Sequence, residues 1–216
     1  MTSEPGSQVE HEVVAKLRAC RLVPVVTFED PAAVVRVARA LLAGGLPCIE
    51  ITFRHPAAAD ALLRAREVDG LLVGAGTVLS SEQARAAAGA GAHFAVAPGL
   101  NEQVLTTCRE LGLPFFPGAA TATEIERARG LGSTTVKLFP AAQLGGPGFV
   151  RAVSAVYPEM GFIPTGGVTA QNAADYLDVP TVVACGGSWL VQPDLVRQGR
   201  FEEIERTVRA AVGAVA

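Results

Sequence analysis

The chain has 216 residues, of which 50% are hydrophobic and 18% are charged. This length suits one domain that buries its own core. We therefore expect a single domain over residues 1–216, with a flexible polar lead-in over about residues 1–9. The formal net charge of −3, without any basic run, argues against nucleic acid or an anionic membrane surface as a partner.

Neither a membrane span nor a secretory leader is indicated by the sequence. No segment approaches the roughly eighteen consecutive apolar residues of a spanning helix, and the polar stretch from Met1 to Glu12 lacks the apolar centre of a signal peptide. We therefore expect a cytoplasmic protein. Four scattered cysteines indicate reduced core thiols, and the three histidines have no metal-ligand spacing, so we expect no metal and no cofactor.

Short apolar runs alternate with amphipathic, alanine-rich stretches along the whole chain. Each run is apolar or β-branched and leads into Gly, Pro or Thr, which is typical of buried parallel strands. We predict strands at Leu22–Thr27, Cys48–Thr52, Leu71–Ala75, His93–Ala97, Pro114–Phe116, Thr134–Leu138, Phe162–Pro164 and Thr181–Ala184.

The stretches between these runs have apolar residues three and four positions apart, as amphipathic helices do. Asp30, Ser80 and Asn101 are predicted to cap helix starts, and glycines close several helices. Phe201–Val212 would be the eighth helix, and Glu10–Ala19 an extra one that closes the barrel floor.

Eight strand-then-helix units in this length predict an α/β fold, a compact (β/α)8 TIM barrel with an extra N-terminal helix. A doubly wound open sheet is the alternative. In a barrel, the active site lies where the carboxyl ends of the strands enter the βα loops. Catalytic and substrate-binding side chains are therefore expected at those strand ends.

Lys137 interrupts the apolar run Thr135-Val136-Lys137-Leu138-Phe139-Pro140 near the end of the sixth predicted strand. A lysine amine removed from water gives up its proton more readily, which frees it to attack a carbonyl carbon. The alternative is a lysine with a buried stem and an ammonium that reaches solvent or a carboxylate. We favour the nucleophile.

Glu50 lies between two isoleucines of the second predicted strand, and Arg54 begins the loop that follows. Strand alternation places Glu50 and Thr52 on one face. If that face is the barrel mouth, Glu50 can relay protons and Arg54 can clamp a substrate carboxylate. A structural ion pair between Glu50 and Lys137 is the alternative.

Further candidates lie at the other strand ends. Thr77 follows a glycine-rich turn and offers a hydroxyl to a carboxylate, whereas Pro98 and Phe139 would form apolar walls. Paired glycines end the last two predicted strands, where barrels of this kind bind phosphate on backbone amides; ligand-free tight turns are the alternative. These two segments contain Thr165, Gly166, Gly167, Gly186, Gly187 and Ser188.

As an ordered set, these motifs resemble the 2-keto-3-deoxy-6-phosphogluconate (KDPG) and 4-hydroxy-2-oxoglutarate (KHG) aldolases over nearly the whole chain. The segments that carry the resemblance are Ile49-Glu50-Ile51-Thr52-Phe53-Arg54, Gly74-Ala75-Gly76-Thr77-Val78-Leu79, Ala97-Pro98-Gly99, Lys137-Leu138-Phe139-Pro140-Ala141, Pro164-Thr165-Gly166-Gly167 and Gly186-Gly187-Ser188-Trp189. Two positions depart from the family pattern: His55 stands where threonine is common, and Ala142 where glutamate is frequent.

The resemblance implies a class I aldolase of the Entner–Doudoroff pathway that assembles as a homotrimer. It implies that Lys137 forms the imine, Glu50 is the acid and base, Arg54 and Thr77 hold the carboxylate, and the phosphate rests on Gly166, Gly167 and Ser188. The products would be pyruvate with glyceraldehyde 3-phosphate, or with glyoxylate from 4-hydroxy-2-oxoglutarate. An aldolase for the galactonate isomer and a non-catalytic barrel that binds a phosphorylated metabolite remain alternatives.

Overall fold

A computed structural model describes residues 5–216, with side chains from residue 8 onward. Within this range the chain forms nine short strands that alternate with helices. The strands are β1 (Leu22–Val26), β2 (Cys48–Thr52), β3 (Leu72–Gly76), β4 (Phe94–Val96), β5 (Phe115–Phe116), β6 (Gly118–Ala119), β7 (Thr135–Leu138), β8 (Gly161–Pro164) and β9 (Cys185–Gly187).

Ten α-helices and a 3-10 turn at Pro31–Ala33 surround the strands in the described part of the chain. None of these helices is both long and apolar enough to cross a membrane. The helices are α1 (Pro5–Cys20), α2 (Val34–Ala43), α3 (Ala58–Arg66), α4 (Ser81–Gly89), α5 (Glu102–Glu110), α6 (Ala122–Gly130), α7 (Gly146–Val156), α8 (Ala173–Leu177), α9 (Pro193–Arg197) and α10 (Phe201–Val215).

All strand pairs are parallel, and they form a curled sheet in two hydrogen-bonded parts. The larger part has the order β5-β4-β3-β2-β1-β9 and the smaller the order β6-β7-β8. Only Pro117 separates β5 from β6, and isolated bridges join Phe162 to Val182 and Thr165 to Gly186. A doubly wound sheet would reverse its strand order at a switch point, and the sequential order β1 to β5 has no such reversal.

The structure corrects three of the predicted elements. The predicted last strand, Thr181–Ala184, is placed too early: within it only Val182 forms a bridge, to Phe162, and the strand that pairs with β1 lies at Cys185–Gly187. The predicted fifth strand, Pro114–Phe116, corresponds to β5, but β6 was not predicted; Pro117 separates the two because proline has no N–H to donate to a ladder. The first helix begins at Pro5 rather than Glu10 and so includes part of the predicted lead-in, whereas residues 1–4 lie outside the described residues.

The predicted helix caps are confirmed. The side chains of Asp30, Ser80 and Asn101 each accept a hydrogen bond from a backbone N–H of the first turn that follows. These bonds satisfy donors that have no partner within the helix. The short polar residues therefore fix where the segments after β1, β3 and β4 turn into helix.

Alternate strand residues face two different apolar layers. In β2, Ile49 and Ile51 belong to the outer core between sheet and helices, whereas Cys48 belongs to a separate inner cluster. Helix α1 contributes Val13 and Leu17 to that inner cluster. The helix therefore packs across the amino-terminal end of the curled sheet and leaves the carboxyl end to the βα loops.

We predict that Leu17→Ala destabilises the fold by about 2–5 kcal/mol, because it leaves a cavity in the inner cluster. Leu17 is fully buried, whereas Val9 on the same helix is 44% exposed. Val9→Ala should therefore change stability by no more than about 0.5 kcal/mol. Urea unfolding followed by circular dichroism measures both, and equal effects would contradict the described packing of α1.

Candidate active site

Strands β2 and β7 place an acidic and a basic side chain inside the carboxyl end of the curled sheet. In β2, Glu50 lies between Ile49 and Ile51, which face the outer core. In β7, Lys137 likewise lies between Val136 and Leu138 of the outer core. The two-residue alternation of a strand therefore turns both charged side chains inward.

The two charged groups meet. The Lys137 Nζ atom lies 3.2 Å from Glu50 Oε1, and the two side chains are only 5% and 3% exposed. Removal of two charges from water costs several kcal/mol per ion, so a buried pair is weak support for a stabilising role. A carboxylate within hydrogen-bonding distance can instead take a proton from the amine and return it.

Phe139 contributes an apolar surface beside the amine. Its ring centroid is 5.9 Å from Lys137 Nζ. The predicted wall at Phe139 thus lies near the amine.

Two glycines of β3 have a role that the sequence alone does not reveal. A Cβ atom at Gly76 would lie 2.2 Å from Glu50 Oε1, and one at Gly74 would lie 2.1 Å from the Phe94 ring. Both values are below the closest approach of real side-chain atoms, so only glycine fits. These glycines therefore make room for the inward side chains of Glu50 and Phe94.

The loops after β7 and β8 are joined by backbone hydrogen bonds. Ala141 N–H donates to Thr165 O at 2.8 Å, and Ala142 N–H donates to Gly166 O at 3.0 Å. A Cβ at Gly166 would lie 3.1 Å from the Phe139 ring, so the glycine packs directly on that wall. Thr165, Gly166 and the residues around Lys137 therefore form one continuous surface.

The paired glycines have free amides and unusual backbone angles. Gly166 and Gly167 have φ values of 92° and 75°, which favour glycine. Among the hydrogen bonds of the described residues, neither amide donates to a protein acceptor. Two unpaired N–H groups beside each other suit an anion. Ser188, directly after β9, is exposed.

Strand β9 lies against the same loops through its glycines. A Cβ at Gly186 would lie 2.4 Å from Thr165 Oγ1, and one at Gly187 would lie 1.5 Å from the Trp189 ring. Gly186 and Gly187, which lie after the last predicted strand, are therefore strand residues themselves. Their lack of side chains lets Thr165 and Trp189 pack on the backbone.

Arg54, Thr77 and Pro98 lie around the same end of the sheet, but among the described residues no side-chain hydrogen bond or ion pair joins them to Lys137 or Glu50. Arg54 is exposed in the turn after β2. Thr77 has a φ of 57°, which is rare for a β-branched residue and is the kind of strain found at functional sites. Pro98 packs on Gly118, the residue that pairs with Lys137.

One polar contact at this end of the sheet was not predicted. Thr52, two residues after Glu50 on the same face, has its hydroxyl 2.7 Å from that of Thr27, which follows β1. Thr52 had been placed on the Glu50 face, but nothing in the sequence pairs it with Thr27.

In the described residues, no three His, Cys, Asp or Glu side chains form a group able to hold a metal ion.

The fold and the site together define an aldolase, a lyase that breaks a carbon–carbon bond, because a buried amine beside a carboxylate suits covalent catalysis on a carbonyl. The family model "KDPG and KHG aldolase" matches residues 13–207. The chain belongs to this family.

Individual relatives agree with the family model. The 2-dehydro-3-deoxy-phosphogluconate aldolase of Treponema pallidum (strain Nichols) is 46% identical over 189 residues, which cover 87% of this chain and 90% of that protein. The aldolase of the same name from Haemophilus influenzae (strain Rd) is 40% identical, with 97% and 99% covered. The KDPG aldolase of Legionella pneumophila, solved with pyruvate as a covalent carbinolamine, superimposes with a TM-score of 0.88 at 34% identity, with 92% and 97% covered.

The two departures from the family pattern occupy defined positions. His55 Nδ1 accepts a hydrogen bond from Ala57 N–H at 3.2 Å, in the turn that leads to α3. The Ala142 Cβ lies 2.3 Å from the position that a Cβ at Gly167 would take. Position 142 therefore borders the free amides of the paired glycines, where a longer side chain would change the surroundings of a bound anion.

We predict that Gly76→Ala displaces the Glu50 carboxylate and lowers the rate of pyruvate release by at least about tenfold, while overpacking costs about 1–3 kcal/mol of stability. Gly89→Ala is the matched control, since a Cβ there meets nothing within 4 Å. The control should retain full activity. Urea unfolding and a pyruvate-release assay measure both effects, and full activity of Gly76→Ala would show that the carboxylate position is unimportant.

Proposed function

We propose that this aldolase cleaves 2-keto-3-deoxy-6-phosphogluconate to pyruvate and glyceraldehyde 3-phosphate through a Schiff base on Lys137. The observation that carries the proposal is the distance of 3.2 Å between Lys137 Nζ and Glu50 Oε1 in a nearly water-free interior. The carbinolamine in the Legionella pneumophila relative supports it, because a carbinolamine is the adduct of an amine and a ketone.

Imine formation needs a neutral amine and a proton shuttle. Glu50 takes the proton from the Lys137 ammonium, and the free amine attacks the C2 ketone of the substrate. Glu50 then delivers a proton to the carbinolamine hydroxyl, which leaves as water and yields a protonated imine. Both transfers lie within reach of one carboxylate, which is why a single acid and base suffices.

The protonated imine is the electron sink for cleavage. Glu50, which is again a carboxylate, takes the proton of the C4 hydroxyl and later returns it at C3. As that proton leaves, the C3–C4 bond breaks and its electron pair moves toward the imine to form an enamine. Glyceraldehyde 3-phosphate departs as the aldehyde. The enamine takes a proton at C3, and water hydrolyses the resulting imine to pyruvate and free Lys137. These steps require no metal and no organic cofactor.

The ends of the substrate match different parts of the site. Arg54 and Thr77 follow neighbouring strands β2 and β3, and we assign them to the C1 carboxylate. The free amides of Gly166 and Gly167, with Gly186, Gly187 and the exposed Ser188 on β9 and after it, are assigned to the phosphate. Phe139, Thr165 and Pro98 would line the space between.

The same Schiff-base chemistry extends to 4-hydroxy-2-oxoglutarate, which would give pyruvate and glyoxylate. This ligand has no phosphate, so it would leave the free glycine amides unused. The description of the family includes both substrates. We propose the gluconate isomer rather than the galactonate isomer as the substrate, because the Treponema pallidum and Haemophilus influenzae relatives are named as phosphogluconate aldolases.

Three finer features complete the proposal. We propose that the curled sheet closes into an eight-stranded barrel with α1 across its floor. In this barrel β5 and β6 would act as one strand interrupted at Pro117, and the bridges from β8 toward Val182 and Gly186 would complete the ring.

We also propose a homotrimer in the Entner–Doudoroff pathway, on the basis of the family resemblance. The four free cysteines suit a reducing compartment and hence the cytoplasm.

We predict that borohydride added together with pyruvate labels Lys137 and inactivates the enzyme irreversibly, because reduction of the imine fixes the adduct on the nitrogen. The chain has only one other lysine, Lys16. Peptide mass spectrometry should therefore find the adduct on the Lys137 peptide alone.

Two charge-conserving variants control this experiment. Lys16→Arg should be labelled like the natural chain, whereas Lys137→Arg should remain unlabelled and inactive, since a guanidinium stays protonated. An adduct on Lys16, or an unlabelled natural chain under conditions in which it turns over substrate, would rule out the assigned nucleophile.

We predict that Glu50→Gln lowers kcat by roughly a hundredfold or more, which is the usual size of a general acid–base contribution. Glu67→Gln, at an exposed position after α3, removes the same charge and should keep full activity. Steady-state kinetics with 2-keto-3-deoxy-6-phosphogluconate measures the difference. A variant that loses stability but keeps its kcat would identify Glu50 as a structural partner of Lys137 instead.

A further inference from the structure

A cavity of about 710 Å³ lies at the amino-terminal end of the strands, opposite to Lys137. Its lining includes the end of α1, the end of α3 and residues that directly precede β2, β3 and β4. Three nitrogen-bearing side chains, Lys16, Arg66 and His93, contribute to this lining. The proposed cleavage reaction uses none of them.

Two hydrogen-bond donors face each other at the ring of His93. Its Nδ1 accepts a hydrogen bond from Val73 N–H at 2.9 Å, and its Nε2 lies 2.7 Å from Arg66 Nη1. A guanidinium can only donate, and a neutral imidazole accepts at one nitrogen and donates from the other. With Nδ1 as the acceptor, two donors therefore face each other between His93 and Arg66.

The protonation state of His93 agrees with this interpretation. Burial, and then the charges of Arg66 and Lys16, lower the pKa of His93 from its ordinary value of 6.5. The ring is therefore neutral at neutral pH. Its one proton is on Nε2, and it points toward the Arg66 side of the cavity.

Arg66 packs over Gly91, but its side chain is exposed and its guanidinium can turn. A Cβ at Gly91 would lie 3.2 Å from Arg66 Nε, so the arginine packs across a glycine whose φ is 76°. None of the ion pairs among the described residues involves Arg66 or Lys16. Asp69, the one carboxylate in the lining, leaves the cavity with a surplus of positive charge.

We propose that this cavity binds a small phosphorylated anion. His93 Nε2 and Arg66 Nη1 are 2.7 Å apart, which leaves no room for an atom between them, so the guanidinium would turn aside when the ligand binds. A phosphate oxygen could then accept from both His93 Nε2–H and Arg66, which removes the conflict between the two donors. Lys16 would neutralise the second negative charge, since ammonium and guanidinium groups are the usual phosphate donors. The cavity has the size of ordinary small-ligand pockets, and Pro47 and Leu72 in its lining would contact the organic part of the ligand.

Titration with inorganic phosphate, followed by NMR of the histidine rings, tests this site in the full-length protein. The chain contains three histidines, which His93→Gln and His55→Gln would assign. We expect a saturable shift of the His93 resonance. The backbone amide resonances of Gly166 and Gly167 report on phosphate bound at the catalytic end, since these amides are the proposed phosphate subsite there, and the two sites can be separated.

Matched arginine variants decide the result. Arg66→Gln should weaken phosphate binding, so that the dissociation constant measured at His93 rises by at least about tenfold. Arg64→Gln removes the same charge from the last turn of α3, outside the lining, and should change it by less than about twofold. The proposal is overturned if His93 does not respond, if both variants weaken binding equally, or if chloride at matched ionic strength produces the same shift.

Discussion

The contact between Lys137 and Glu50 is the interaction on which the proposed chemistry of this protein depends. Each group alone would be an isolated charge in an interior with little water, and such a charge is very costly. Together they form an ion pair, with 3.2 Å between Lys137 Nζ and Glu50 Oε1. In the proposed mechanism the carboxylate takes a proton from the amine and returns it, so the short contact that offsets the cost of burial also serves the reaction.

The surrounding sheet supports this pair by leaving space rather than by adding contacts. Gly76 in β3 has no side chain where the Glu50 carboxylate lies, and Gly118 beside Lys137 has none where Pro98 passes. A protein interior is packed as densely as an organic crystal, so a large inward side chain requires a small neighbour. The positions of the reactive groups are consequently determined as much by glycines as by the groups themselves.

Much of the site could be predicted from the chain alone. A charged residue in a buried apolar strand stands out in the sequence, and for this reason Lys137 and Glu50 were candidates, whereas the inward direction of both side chains was established only by the structure. Strand β9 could not be predicted in the same way. Its glycines have little strand preference, and only pairing with β1 makes them a strand.

Contacts between distant segments were equally hidden. The hydrogen bonds that join the loops after β7 and β8, and the meeting of Arg66 with His93, depend on how separate helices and strands pack. No local pattern encodes them. The position of Pro117 was visible in the sequence, yet its effect was missed because the apolar run before it already accounted for a strand.

The pairing of β1 with β9 joins segments that lie far apart in the sequence, since Leu22 is paired with Cys185. Until Cys185–Gly187 has been synthesised, the edge of β1 has no partner on that side and its backbone groups remain available to other chains. Contacts of such long sequence separation also slow folding. The order in which the chain is made therefore leaves one edge of the sheet open until β9 joins it.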